Sequence, residues 1–340
     1  MGRITVRNDI TSEEKISQIN PKNMDLLNDF MDYLVSIDRS PNTIAGYKSD
    51  LLIFFCWNIE NNENKYFIDL TKREVAKFQK HAMTEWKWSS NRLARVKSSL
   101  SSLSNYIETM LDDEYENYRA IIRKVESPVK QPVLTKTIIT DQEVNDVLDK
   151  LIADKKYVVA CAFALAAFGG ARKSELLRYK VSYFDDCNIM SDAALYKTPE
   201  PIKTKGRGSQ GKALIKYTLL DFKKYLDLWL NEKREKNYVD SEYIFSRKDG
   251  ETLKIGGMDA YADIISNYLE KPFYFHALRH QLCTRLFKLG LPSDVIQEYF
   301  GWSSAEMLSI YNDAEASDSF GKFFTSEGIK GSENKGLSNL

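Results

Sequence analysis

The sequence predicts a mainly α chain of two domains, with a small antiparallel β element in the second. Three observations carry that prediction. Apolar residues recur at helical spacing through most of the 340 residues. The stretch VESPVKQPVLTKTIIT (125–140) interrupts the pattern with Pro128 and Pro132. Two strand-like pieces, ALYKT and ALIKYTL, flank the glycine-rich KGRGSQG.

Taken in order, residues 1–24 are polar and weakly patterned, and are expected to form a flexible lead. RSPNTIAGYKSDLLIFFCW then has Ser40 to cap a helix, Pro41 at its first position, and Ile44, Tyr47, Leu51, Phe54 and Phe55 along one side. REVAKFQKHAM and NRLARVKSSLSSLSNYIETML continue the helical period, so 25–124 reads as a helical domain and 125–138 as a linker. A second domain, 139–315, opens with a capping box of Thr140 and Glu143 before Val144, Val147, Leu148, Leu151 and Ile152. KYVVACAFALAAFGG is apolar all round and predicts a buried helix. After the β pieces the chain reads as helical to about residue 313, with stops at Gly290 and Gly301 and caps at Ser293 and Ser303. Residues 316–340 read as a C-terminal segment ending in a mobile tail.

Composition narrows the function classes. Four dispersed cysteines with no CxxC pair argue against a zinc ribbon or disulfide scaffold and suit a reducing cytosol. The longest apolar run, Tyr157 to Phe168, is too short to span a bilayer, and the expectation is a cytoplasmic protein of a prokaryotic cell or its mobile element. Net charge is zero, yet the charge is uneven. No acid occurs from Trp86 to Ile107, where Lys87, Arg92, Arg95 and Lys97 sit among serines. Lys197, Lys203, Lys205, Arg207, Lys212, Lys216, Lys223 and Lys224 face only Glu200 and Asp221 in the 197–224 stretch. Phosphate backbones respond to such local fields, although a solvated helix face would look the same.

Two short stretches carry candidate chemistry. GARKSELLRY places Arg172 just after Gly169 and Gly170, with Glu175 one turn on. FHALRH places His276 and Arg279 on one helical face, with His280 beside them, while Leu278, Leu282, Leu286 and Leu289 point toward the core. The histidine pair lacks the further ligands that a metal site requires. Downstream, FGWSS supplies Gly301 and Trp302, and Tyr311 falls near the end of the next predicted helix.

In this order and spacing the boxes resemble the tyrosine site-specific recombinases, the phage-type, Xer-type and Cre-like enzymes. SPNTIAGYKSDLLIFFCW is similar to the start of that family's helical core-binding domain, and the resemblance spans roughly 25–315. It implies a DNA-binding helical domain, a helical catalytic domain, and catalytic roles for Arg172, Lys205, His276, Arg279, Trp302 and the nucleophile Tyr311. Lys203 is the alternative to Lys205. Glu175 becomes a brace rather than a base, and His280 a buried structural neighbour. Lys87, Arg92, Arg95, Lys97, Lys203 and Arg207 become candidate DNA contacts.

The chemistry suits those residue types. A phosphodiester under attack gains charge on its non-bridging oxygens, which two guanidinium forks can grip. Tyrosine can form a covalent 3′-phosphotyrosyl link that conserves the bond for rejoining. Neither metal nor cofactor is then needed. The indole of Trp302 donates a hydrogen bond but cannot carry a proton, so acid–base duty falls to His276 and Lys205. The resemblance also implies double-stranded recombination sites, a tetramer on two of them, accessory DNA-bending proteins, and integration or excision of a mobile element. A type IB topoisomerase-like enzyme and a non-catalytic DNA-binding regulator on the same fold remain as alternatives.

Overall fold

Ser40 caps as its place before Pro41 requires: its hydroxyl accepts from the Thr43 amide, and a 21-residue helix follows. This is the third helix of a computed structural model that describes residues 10–129, 137–204 and 211–302, together with the backbone of 324–325 and 328–329. The chain divides into two compact units between Leu134 and Thr135.

The first unit contains α1 (Glu13–Ser17), α2 (Pro21–Ser36), α3 (Pro41–Asn61), α4 (Lys72–Thr84) and α5 (Ser90–Met110). Their apolar faces close one core in which Phe54 meets Phe67 and Phe78 edge-on, with Trp57 beside them. The expectation of a flexible lead is corrected for residues 10–24. Ile10 and Ile19 are buried, Ser12 caps α1, and Asn23 is sealed between the Lys65 carbonyl and the Phe67 amide. The sequence pattern there is polar because buried asparagine is held by backbone rather than by apolar contact.

Lys97 also departs from its expected role. It lies on α5 with 5% of its surface exposed, and its ammonium donates to Gln79 Oε1 at 2.9 Å, the Val125 carbonyl at 2.7 Å and Ser127 Oγ at 2.8 Å. Gln79 in turn donates to the Glu126 carbonyl. Residues 125–127, expected to begin the linker, are therefore pinned to the helical unit.

The second unit is built round α7 (Tyr157–Gly169), which is buried along nearly its whole length as its uniformly apolar sequence predicts. Against it pack α6 (Asp141–Ala153), opened by the Thr140–Glu143 capping box, then α9 (Lys223–Glu235), α10 (Ile255–Leu269) and α11 (His276–Lys288). Short α8 (Lys173–Leu176) follows α7, and α12 (Ser293–Phe300) follows α11. Between α8 and α9 lie β1 (Leu195–Lys197), β2 (Ile202–Thr204), β3 (Lys212–Leu214) and β4 (Tyr217–Leu219). They form two antiparallel pairs, β1 with β4 and β2 with β3. ALIKYTL is thus two strands rather than one, and β2 completes the second pair.

Residues 236–254 are not the continuous helix the period suggested. An antiparallel bridge joins Ser246 to Thr252 round Gly250 (φ +85°), and Trp229 donates to the Ile244 carbonyl beneath it. Ser293 begins α12 without capping it, and Leu289, expected in the core, is 66% exposed. In the C-terminal segment, expected to end loosely, β5 (Phe324–Thr325) pairs antiparallel with β6 (Gly328–Ile329).

Candidate active site

Helix α7 ends in two glycines for two different reasons. A Cβ on Gly169 would meet Thr218 Oγ1 at 3.0 Å, so the helix end rests directly on β4. Gly170 adopts φ +60°, the left-handed conformation that stops a helix. The chain then runs extended through Arg172 into α8. Glu175 sits at the third position of α8 and accepts from the Arg172 amide at 3.1 Å and from its Nη1 at 2.8 Å. The carboxylate is fully buried while the Arg172 side chain stays 26% exposed. Burial alone would raise the carboxyl pKa, but Lys216 and Arg172 override it and hold Glu175 below its ordinary range. Glu175 is thus a fixed anion under Arg172.

Arg279 arrives from the first turn of α11 and is 1% exposed. Its Nη1 donates to the Gly170 carbonyl at 2.7 Å and its Nη2 to the Phe300 carbonyl at 3.0 Å. The guanidinium lies 4.7 Å from the Phe300 ring centre and 5.2 Å from that of Trp302. It therefore joins the end of α7 to the end of α12, placing a cation on carbonyls that a helix leaves unpaired. Tyr299 repeats the stitch by donating to the Phe168 carbonyl at 2.5 Å. Gly301 stops α12 at φ +65°, where a Cβ would strike Leu214 Cδ1 at 2.5 Å. Trp302 follows, stacked on Phe300 at 4.7 Å between ring centres.

His276, at the start of α11, is partly buried, and its pKa is lowered to about 4 by burial first, then by His280 and the two arginines. It is a neutral imidazole at pH 7. His280, expected to be buried, is instead partly exposed and packs edge-on to His276 at 5.4 Å. An unfolded imidazole with the ordinary value of 6.5 takes up a proton before the folded one does. Stability from this group is therefore complete above about pH 6.5 and is lost as pH falls toward about 4. In urea titrations across that range His276→Gln should flatten the decline; an unchanged slope would refute the assignment.

The structure brings Arg172 and Glu175, at the start of α8, together with His276 and Arg279 at the start of α11 and Trp302 after α12, although about a hundred residues separate the first pair from the others. Lys203 is exposed on β2, and its carbonyl accepts from Arg178 at 3.1 Å. Lys205, Arg207 and Tyr311 lie outside the described residues, as does Ser303. In the first unit Lys87 is exposed, Arg92 lies 4.3 Å over Trp88, and Arg95 pairs with Asp50 while its side chain stays 63% exposed.

One residue was missed. Lys216, counted above among the cations of a basic face, is 2% exposed, with its Nζ 3.1 Å from Glu175 Oε2. A lysine inside the apolar ALIKYTL was the only hint of this.

Paired guanidinium groups beside a neutral imidazole, in a largely dry setting, suit enzymes that work on a phosphodiester. The family model described as the phage integrase family matches residues 137–318, more than half of the chain, and the chain belongs to that family. It is a tyrosine-type DNA strand transferase, a site-specific recombinase. A prophage-derived recombinase-like protein of Bacillus subtilis, YomM, is 26% identical over 82% of this chain and 82% of its own length. A tyrosine recombinase of Thermosipho africanus is 25% identical over 83% of this chain and 92% of its own. Among solved structures, a lambda integrase dimer bound to a COC′ core site aligns with a TM-score of 0.61 at 17% identity, covering 90% of this chain and 82% of that one. At that identity the structural likeness concerns the fold. No described helix is long and apolar enough to cross a membrane.

Proposed function

We propose that Tyr311 attacks the scissile phosphate of a specific DNA site and holds it as a 3′-phosphotyrosyl ester, while Arg172 and Arg279 bear the charge that develops. The convergence of both arginines on the glycine-broken end of α7 carries this reading. Glu175 accepts one Arg172 N–H from inside, so the exposed part of that guanidinium faces outward. Arg279 commits two N–H groups to carbonyls, which fixes the plane of its fork. Neutral His276 can donate to a phosphate oxygen or receive a proton. Lys205, with Lys203 two residues away, would supply the proton to the departing 5′ oxygen.

The first unit would act as the DNA-binding domain, and the partners would be two double-stranded sites bridged by a tetramer, with accessory DNA-bending proteins where the sites require them. Mobile-element integration or excision is the favoured role, supported by the prophage origin of YomM. Trapping tests the reading. The full chain is incubated with a fragment library, quenched in detergent, and the protein-linked DNA sequenced while the linked peptide is mapped. A linkage at Tyr311 to one recurring sequence is expected; a linkage elsewhere, or none, would sink it.

The DNA-facing set carries its own prediction. Lys87→Ala should lower the slope of log affinity against log salt by about 1. Lys97→Met should leave that slope unchanged and cost about 1–3 kcal/mol of stability, because three hydrogen bonds from a buried ammonium are lost. Equal salt slopes in the two variants would return Lys97 to the surface set.

A further inference from the structure

Lys216 belongs to none of the motifs above, yet its position is tightly specified. Its amide donates to Thr198 Oγ1 at 3.0 Å, and its carbonyl accepts from the Thr198 amide at 2.9 Å. These bonds extend the β1–β4 ladder by one residue pair and aim the side chain inward. There Nζ lies 3.1 Å from Glu175 Oε2, while Oε1 of the same carboxylate accepts from Arg172 Nη1 at 2.8 Å. Lysine and glutamate are 2% and 0% exposed.

An arginine and a carboxylate left alone in a dry site favour the two-bond, fork-to-fork pairing. That geometry would turn Arg172 inward and neutralise it. With Lys216 and the Arg172 amide both on Oε2, the carboxylate meets the guanidinium through a single oxygen. The three side chains then sum to one net positive charge (two cations, one anion) instead of none. We propose that Lys216 is a positioning residue: it competes for Glu175 and so leaves the outer donors of Arg172 to the scissile phosphate. This rests on the proposed role of Arg172 as a phosphate ligand.

The test uses the full-length protein and a duplex carrying the sequence recovered by trapping. Single-turnover cleavage at saturating protein is measured beside DNA affinity for wild type, Lys216→Met, Lys216→Arg, Glu175→Gln and the double variant Lys216→Met/Glu175→Gln. Lys216→Met should cleave at least about tenfold more slowly, as for a weakened charge-stabilising donor, with affinity within about twofold. Lys216→Arg should recover most of the rate. The double variant should match Glu175→Gln, because a neutral amide no longer captures Arg172. Cleavage by Lys216→Met at the wild-type rate, or independent and additive losses in the double variant, would overturn the proposal. Should Lys216→Met fail to fold, the double variant removes both buried charges together and is compared with Glu175→Gln alone. A match supports the proposal, and a rate about tenfold lower overturns it. A wild-type chain that forms no adduct instead refutes the functional reading, and this inference with it.

Discussion

Arg279→Ala is expected to lose about 3–5 kcal/mol of stability and about 10²–10³-fold in the cleavage rate of whatever folded protein remains. Removing the guanidinium takes from the Gly170 and Phe300 carbonyls the donor they share and opens a cavity beneath Phe300 and Trp302. Each orphaned acceptor costs about 1–3 kcal/mol, and the missing volume adds to that. Arg279→Lys separates the two effects. It keeps a positive charge, but a point donor cannot hold two carbonyls and also present a fixed N–H edge to the phosphate. It should regain part of the stability and little of the cleavage. Urea unfolding and single-turnover cleavage measured on the same preparations check this. An Arg279→Lys variant with full activity would show that the fork is not needed.

Gly170→Val is expected to be nearly as damaging, although the residue carries no chemistry. A β-branched residue at φ +60° is strained by about 1–3 kcal/mol. Its Cβ would also lie 2.4 Å from Phe300 Cε1 and 3.3 Å from Leu282 Cδ2. The Phe300 ring cannot give way without disturbing its stack on Trp302 and its contact with the Arg279 guanidinium. The unfolding midpoint should therefore fall with the denaturant slope unchanged, and cleavage should drop even at temperatures where the variant is folded. Gly46 is a control on the other unit: a Cβ there meets nothing within 4 Å, and Gly46→Ala should be neutral or mildly stabilising. A Gly170→Val protein with wild-type stability would mean that the α7–α12 junction is looser than its contacts indicate.

Comparing residues shows where the sequence was informative. Ser40, Thr140, Gly170 and Gly301 each act within a few positions of themselves, capping or ending a helix, and their roles were legible from spacing. Asn23 and the 236–254 segment were not legible. One is sealed by backbone groups more than forty residues away, and the other ties its irregular backbone to α9 through Trp229. Leu289 had the right period for the core and lies beyond the end of the packed face.

The residues of the candidate site divide in the same way. Glu175 could be recognised as a brace because three positions at a helix start place its carboxylate on the Arg172 amide. The internal duties of Lys97 and Lys216 could not be recognised, since a lysine reads as surface until the chain closes round it. Their partners, Val125 and Ser127 in one case and Glu175 in the other, lie 28 to 41 positions away (216 − 175 = 41). Arg279 lies between these cases. Its spacing from His276 marked it for the site, but its partner Gly170 is 109 positions away and became visible only in the fold.

Local steric and hydrogen-bonding rules thus set the helices, their ends and the family motifs, because each involves a few neighbouring residues. Which cations stay at the surface and which are spent inside was decided by tertiary packing. Burial determines whether a charge meets water, a carboxylate or a phosphate, and burial is a property of the closed chain.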